Sequence, residues 1–294
     1  MFRVCGLIWT HNPDLHLLKQ TIEAALSNVD FLIIIDNGSS NVEEIKRLVN
    51  IYGIKAIFLP KNLGVAALNI GLEILAKRSC EWILILDDDS IITNPKAIQE
   101  ILTGYDTIPS HIRRKIGVIS IIDANSIPIT LKNKLMKMMY STFVVHSDTV
   151  MFSGAMIRAD VIKSGIQVDK ELFLYHADVD FFTRIRKMGF MTIIYTKPML
   201  RHRLGIPLVK PINLGFYKIV STTTPSRFYY IARNAMYLLL RRRLSPLQFF
   251  LSLFRFILPL LIEYPIGTIK ALILGIIHGT FGILGIWKAL PVRP

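Results

Sequence analysis

Four apolar runs in the first ninety residues each stop abruptly in polar turn chemistry, and this pattern constrains the fold more than any other feature of the chain. Val4–Trp9 runs into Thr10-His11-Asn12-Pro13, and Phe31–Ile35 into Asp36-Asn37-Gly38-Ser39. Lys55–Leu59 runs into Pro60-Lys61-Asn62-Leu63-Gly64, and Trp82–Leu86 into Asp87-Asp88-Asp89-Ser90. Between them lie helical patterns over Leu15–Leu26, Glu43–Tyr52 and Val65–Lys77, the last with Ala66, Ile70, Ile74 and Leu75 at helical spacing. Continuous apolar strands alternating with helices predict an α/β fold, a mostly parallel sheet with helices on both faces. In such sheets ligands bind beyond the carboxyl ends of the strands, so Thr10, Asn12, Asp36, Asn62 and Asp87 to Asp89 are expected to line one crevice. Three adjacent carboxylates repel one another, and a divalent cation carrying a diphosphate is the usual remedy. A nucleotide is the natural occupant.

Several nucleotide and metal motifs are excluded. No G-x-G-x-x-G follows the first strand, and no G-x-x-x-x-G-K-[ST] occurs. An EF-hand loop starting at Asp87 fails because its sixth position is Ile92, where the turn needs glycine.

The pieces that remain resemble the family-2 glycosyltransferases of the GT-A nucleotide-diphospho-sugar transferase fold, with most similarity to bacterial and archaeal rhamnosyltransferases. Seven segments carry the resemblance, in the family's order, over residues 1 to about 205. Four are the turns Thr10–Pro13, Asp36–Ser39, Lys61–Gly64 and Asp87–Ser90. The others are Phe152-Ser153-Gly154-Ala155, Asp178-Val179-Asp180-Phe181 with Arg184, and Arg201-His202-Arg203-Leu204-Gly205.

The resemblance implies roles. Asp36 is expected to receive the nucleotide base and Asp87 to approach the ribose, with Thr10, Asn12, Asn62, Gly64 and Asp88 completing the donor side. Asp89 and His202 are expected to hold a divalent cation, Mn2+ or Mg2+, which neutralises charge on the departing diphosphate. Ser153, Gly154, Asp180 and Arg184 are expected on the acceptor side. Asp178, in the first turn of a helix expected from there to Gly189, is the expected base. The positive helix end favours its ionised form, and a single displacement implies inversion of the anomeric centre. The family's second acidic residue just before the base is Ala177 here, so Asp180 stays open as the alternative register.

The C-terminal part changes character. Residues 1–225 are expected to form the GT-A catalytic domain and 226–294 a basic, apolar, helical membrane-associated extension, in a chain of 294 residues that is 52% hydrophobic with net charge +14. A Y-Y-x-x-R-N pattern at Tyr229, Tyr230, Arg233 and Asn234 again resembles the rhamnosyltransferases, in a helix expected to end at Arg241-Arg242-Arg243. The apolar run Phe249–Ile262 spans roughly 21 Å as a helix, short of the roughly 30 Å hydrocarbon core. A second run, Ala271–Trp287, is rich in glycine. Interfacial helices on an anionic membrane surface are the reading adopted, a short transmembrane or re-entrant hairpin the alternative. The basic residues cluster beside these apolar segments and no nucleic-acid motif is present, so nucleic acid is not the expected partner.

Cys5 and Cys80 read as separate packing residues in a reducing compartment, and the chain enters its first strand at once without a signal peptide. These features place the expected protein on the cytoplasmic face of the cell membrane. It is expected to transfer one sugar per encounter, rhamnose from dTDP-rhamnose ahead of UDP-linked hexoses or galactofuranose, to a lipid-linked saccharide in cell-surface polysaccharide synthesis. The basic, Met-rich stretch 124–145 is expected to be an acceptor-facing lid or an exposed linker. Two rivals are a non-catalytic membrane adaptor that keeps the fold, and a haloacid-dehalogenase-like phosphatase with Asp87 as nucleophile, whose motif departs at Ile91.

Overall fold

A computed structural model describes residues 2–123, 142–146, 150–202, 205–213 and 218–287. The chain divides into two compact units: Met1–Val168 with Phe181–Arg203, and Asp169–Asp180 with Leu204–Pro294.

In the first unit the predicted strands appear as β1 (Val4–Thr10), β2 (Phe31–Asp36), β3 (Lys55–Phe58) and β4 (Trp82–Asp87), mutually parallel in the order β3-β2-β1-β4. The apolar side chains of β1, β2 and β4 are mostly buried on both faces, which is why alternation is absent from the sequence, whereas those of the edge strand β3 are half-buried. The helices between them are α1 (Leu15–Leu26), α2 (Val42–Ile51) and α3 (Ala67–Ala76), the last entered through a 3-10 turn at Gly64–Ala66. Asp14 caps α1, its carboxylate accepting from the His16 and Leu17 amides.

The sheet then continues as a mixed one. Strands β5 (Ser90–Ile92), β6 (Ile116–Asp123), β7 (Phe143–His146), β8 (Ala155–Arg158) and β9 (Met191–His202) bring it to nine among the described residues. β8 lies antiparallel between β4 and β6, and β9 pairs with β6 in parallel and with β5 and β7 antiparallel. The parallel expectation holds for the first four strands and gives way where β8 reverses direction. Helices α4 (Ala97–Asp106), α5 (Ser110–Arg113), α6 (Ala159–Lys163) and α7 (Ala177–Lys187) follow in chain order. The core on one side gathers Ile8, Leu18, Ile22, Ile34, Leu84, Leu86, Ile101 and Tyr105, with Trp82 edge-on to Tyr105 at 5.3 Å.

Two expectations need correction. Cys5 and Cys80 are joined in a disulfide, because β1 and β4 are neighbours and the Cα atoms at their starts lie 5.8 Å apart. Of the stretch 124–145, residues 124–141 lie outside the described residues, but Phe143–Val145 belong to strand β7 rather than to a loop.

The second unit holds the antiparallel pair β10 (Ile206–Asn213) and β11 (Lys218–Thr222) and three helices: α8 (Pro225–Leu240), α9 (Pro246–Glu263) and α10 (Pro265–Phe281). Its core is aromatic: Phe173, Phe228, Tyr229 and Tyr230 with Ile231, Leu260 and Ala271. α9 is longer than the apolar run suggests, since Ser245 forms a capping box with Gln248 and Pro246 sits in the first turn. It is the one helix among the described residues long and apolar enough to cross a membrane, with 18 residues, mean hydropathy 1.5 and 11% of it buried. α10 starts earlier and stops earlier than Ala271–Trp287, because Pro265 opens it and Gly282, in the left-handed conformation at φ 68°, closes it.

Candidate functional site

Register decides what meets at the strand ends. Thr10 is paired with Asp36, and Trp9 with Asp87, so the polar termini of β1, β2 and β4 stand flush. The Trp9 indole donates to Asp87 Oδ1 at 2.6 Å, and the Thr10 hydroxyl to Asp88 Oδ2 at 2.6 Å. Strand β9 delivers His202 from the distant end of the unit, because His202 pairs with Ser90 on β5. Its Nε2 lies 3.2 Å from Asp87 Oδ2 and 3.2 Å from Asp89 Oδ1.

These three side chains offer two carboxylate oxygens and an imidazole nitrogen within 4.8 Å of one another, a donor set that fits a hard divalent cation. Burial disfavours a charged imidazole here, yet hydrogen bonds and charge from Asp87 and Asp89 outweigh it and hold the His202 pKa up at about 10. The carboxylates therefore demand a positive partner, and a metal ion would take the proton's place. Asp88 behaves differently. Burial first, then the charges of Asp89 and Asp87, raise its carboxyl to about 7 against the opposing Thr10 hydrogen bond, so it is the member of the triad least suited to carry full charge.

Asp36 is fully buried; its Oδ2 accepts from the Ser39 amide at 3.2 Å, while Oδ1 has no partner. A buried carboxylate oxygen left open is an acceptor awaiting a donor, since such groups are almost always satisfied. The other expected donor-side residues hold the turns. Asn12, at φ 51°, accepts from the amide and hydroxyl of Ser40. The Asn37 amide donates to Asn62 Oδ1 and to the Gly64 carbonyl, each at 3.0 Å, and accepts from the Leu63 amide. Asn62 Oδ1 also accepts from Gly64 N at 2.7 Å. Gly38, at φ +74°, is required where these turns meet, for a Cβ there would lie 2.5 Å from the Lys61 carbonyl carbon.

Ser153 and Gly154 sit beneath the acidic triad. Buried Ser153 accepts from the Asp87 amide at 3.2 Å and donates to Ser90 Oγ at 2.5 Å. Gly154 bonds Ile85 O and Ile121 N, joining β4 to β6. Sequence reasoning missed Trp9, Asn37 and Ser90 as site residues. Asn37 and Ser90 lie inside motif segments and Trp9 ends the apolar run just before one, but only pairing showed what their side chains hold.

The remaining candidates lie around α7. In the second unit, Asp178 accepts from the Val179 amide at 2.8 Å and is partly exposed. Asp180 is fully buried and receives Arg243 Nη1 at 2.7 Å. Of these two carboxylates, therefore, Asp178 is the one with solvent access. Tyr175 and His176 precede it at φ 55° and 58°, and His176 is kept neutral by burial, its pKa pushed down to about 4. The Y-Y-x-x-R-N side chains hold this approach in place. Asn234 Nδ2 reaches the carbonyls of Leu172, Leu174 and Tyr175, and Arg233 donates to Gly285 O at 2.6 Å and to Glu171 O. In the first unit, Arg184 donates to the Gln167 carbonyl at 2.7 Å. Residues 203–204 of the Arg201–Gly205 motif lie outside the described residues.

A protein-family model, "Glycosyl transferase family 2", matches residues 7–163. The chain is 27% identical over 253 residues to the dTDP-rhamnosyl transferase RfbF of Shigella flexneri, covering 83% of this chain and 82% of the relative. Among solved structures it is similar to the mannosyltransferase PcManGT from Pyrobaculum calidifontis in complex with GDP-Man and Mn2+. That similarity has TM-score 0.55 and 15% identity, over 93% of this chain and 72% of that one. It is also similar to residues 1–349 of S. aureus TarS, with TM-score 0.52 and 16% identity over 95% and 81% of the two chains.

Proposed function

The chain belongs to glycosyl transferase family 2 and is a glycosyltransferase of the GT-A fold, and we propose that it is an inverting, metal-dependent enzyme that moves rhamnose from dTDP-rhamnose to a lipid-linked saccharide. The phosphatase alternative falls with the family match, and the similarity to a dTDP-rhamnosyl transferase over most of the chain supports an enzyme over a non-catalytic adaptor. The proposal places the work at an anionic membrane surface, in cell-surface glycan synthesis.

One observation carries the reading: the cluster of Asp87, Asp89 and His202 at the carboxyl end of β4. Support for the cation comes from its donor chemistry and from the Mn2+ in the complex of the similar mannosyltransferase. When bound, the cation would neutralise the diphosphate as it leaves. Support for the donor comes from the 27% identical dTDP-rhamnosyl transferase and from the open Oδ1 of Asp36, which suits the imino N–H of a thymine or uracil ring.

The protein groups do the rest. Asp178 takes the proton of the acceptor hydroxyl as its oxygen attacks the anomeric carbon, and the bond from that carbon to the diphosphate oxygen breaks on the opposite face. Trp9 fixes Asp87 through its 2.6 Å bond, and Ser153 fixes the β4–β5 turn, so the carboxylates are oriented before the donor arrives. Asp180 holds the first turn of α7 through Arg243.

A thermal-shift screen of nucleotide sugars, each with and without Mn2+, tests this. dTDP-rhamnose with Mn2+ should raise the melting temperature most, because only a ligand of the folded state stabilises it. Stabilisation by GDP-mannose alone would overturn the donor, and equal shifts in EDTA would overturn the metal.

A further inference from the structure

We infer that α9 and α10 embed two apolar stripes in the acyl layer of one leaflet of an anionic membrane. The argument rests on which residues of α10 face inward. In a helix of a water-soluble protein the polar residues face solvent and the apolar ones the core. α10 is built the other way round. Its buried line is Thr268, Ala271, Gly275, His278 and Gly279, whereas Ile266, Ile269, Ile273, Ile277 and Phe281 form the exposed line, with Ile266 at 83% and Phe281 at 76% exposure.

The buried polar groups are satisfied internally. Thr268 Oγ1 donates to the carbonyls of Leu260 and Tyr264, and His278 Nδ1 shares a 2.7 Å hydrogen bond with the Tyr229 hydroxyl. The small residues let the backbones close up: a Cβ at Gly279 would fall 2.3 Å from the Arg233 carbonyl oxygen, and one at Gly275 2.8 Å from Ala232 Cβ. Small and polar residues at the helix contact with large aliphatic ones outside is the arrangement of helices packed in lipid. α9 repeats the outward half of it, exposing Leu247, Phe250, Leu251 and Phe254 at three- and four-residue spacing and Leu261 and Ile262 two turns further on.

Charge selects the membrane. Residues 226–294 carry nine Lys and Arg against one Glu; Arg241 and Arg242 are exposed after α8, and Lys270 is exposed on the outward side of α10, where its long stem lets the ammonium reach the headgroups. Cationic residues next to an apolar face match anionic headgroups. Charge also argues for one leaflet rather than a span. Arg255 sits midway along α9, where a span would place its charge near the bilayer centre.

This deepens the membrane location proposed above and is independent of the transfer chemistry. Full-length protein should cosediment with phosphatidylcholine vesicles containing about one-third phosphatidylglycerol, and far less with pure phosphatidylcholine. Phe250→Glu/Phe254→Glu and Ile269→Glu/Ile273→Glu should each lower binding by about tenfold or more. Ile51→Glu, an exposed aliphatic of the first unit, should not. Where a double variant loses its circular dichroism, the single variants Phe254→Ser and Ile273→Ser stand in, each expected to weaken binding measurably. Alkaline carbonate should release the bound protein. Undiminished vesicle binding by folded stripe variants would overturn the proposal. So would a vesicle-indifferent parent whose self-association the variants abolish, or resistance to carbonate. Calorimetric nucleotide binding stays unchanged in the stripe variants, and its absence in the parent would indict the donor reading instead.

Discussion

Within the acidic triad, the middle aspartate has different surroundings from the two that flank it. Asp87 and Asp89 face His202, while Asp88 turns toward Thr10 and is raised to about 7 by burial. Asp89→Ala should therefore abolish Mn2+-dependent nucleotide binding in calorimetry, whereas Asp88→Asn, which replaces a side chain whose charged form burial already disfavours, should change it several-fold at most. Asp178→Asn can still accept the Val179 amide, so folding and donor affinity should survive. Turnover should fall by about a hundredfold to ten-thousandfold, the usual worth of a positioned general base. Asp180→Asn should instead lower the melting temperature, since it strips a buried carboxylate from Arg243. If Asp180→Asn leaves stability intact and stops turnover while Asp178→Asn does neither, the two roles are exchanged. His202 adds a pH signature. Its folded pKa of about 10 lies above the ordinary value of 6.5, so it stabilises the metal-free fold fully below about pH 6.5 and loses that contribution as pH rises toward 10. The melting-temperature gap between parent and His202→Gln in EDTA should narrow over that window. A constant gap would show that the imidazole is not held charged by its carboxylates.

Helix contact in the second unit turns on glycine. α8 and α10 touch where Gly275 and Gly279 admit the α8 backbone, and the Arg233 and Asn234 side chains of α8 hold Glu171 through Tyr175 as that segment runs toward α7. Gly279→Ala should destabilise the protein by about 1–3 kcal/mol, the range for a forced overlap in a packed contact. Gly267→Ala should be near neutral, because its Cβ would stand 3.4 Å from Pro225. Equal melting temperatures for the two variants would mean that the contact is looser than described. The elements themselves were legible where one period governed them. β1, β2 and β4 and α1 are found within a residue of expectation. The apolar C-terminal helices were not delimited as well, since uniform hydrophobicity has no phase, and the actual ends are set by Ser245, Pro246, Pro265 and Gly282.

Across the whole chain, the alternation of apolar strands, polar turns and helices was enough to determine an α/β fold with a crevice at the strand ends. Local periodicity and turn chemistry are properties of neighbours in sequence. The motif residues Asp36, Asp87, Asp89 and His202 were likewise visible one by one. What only tertiary structure decided is what pairs at long range. The antiparallel insertion of β8, the Cys5–Cys80 bond and the alignment of Ser90 with His202 depend on strands far apart in sequence becoming neighbours. The same holds for burial, which separates Asp178 from Asp180 although both occupy one helical turn, and which turns the apolar line of α10 outward and its Thr268 and His278 inward. A sequence records which residues a helix carries; the face that meets protein is chosen only when the neighbouring helix packs against it.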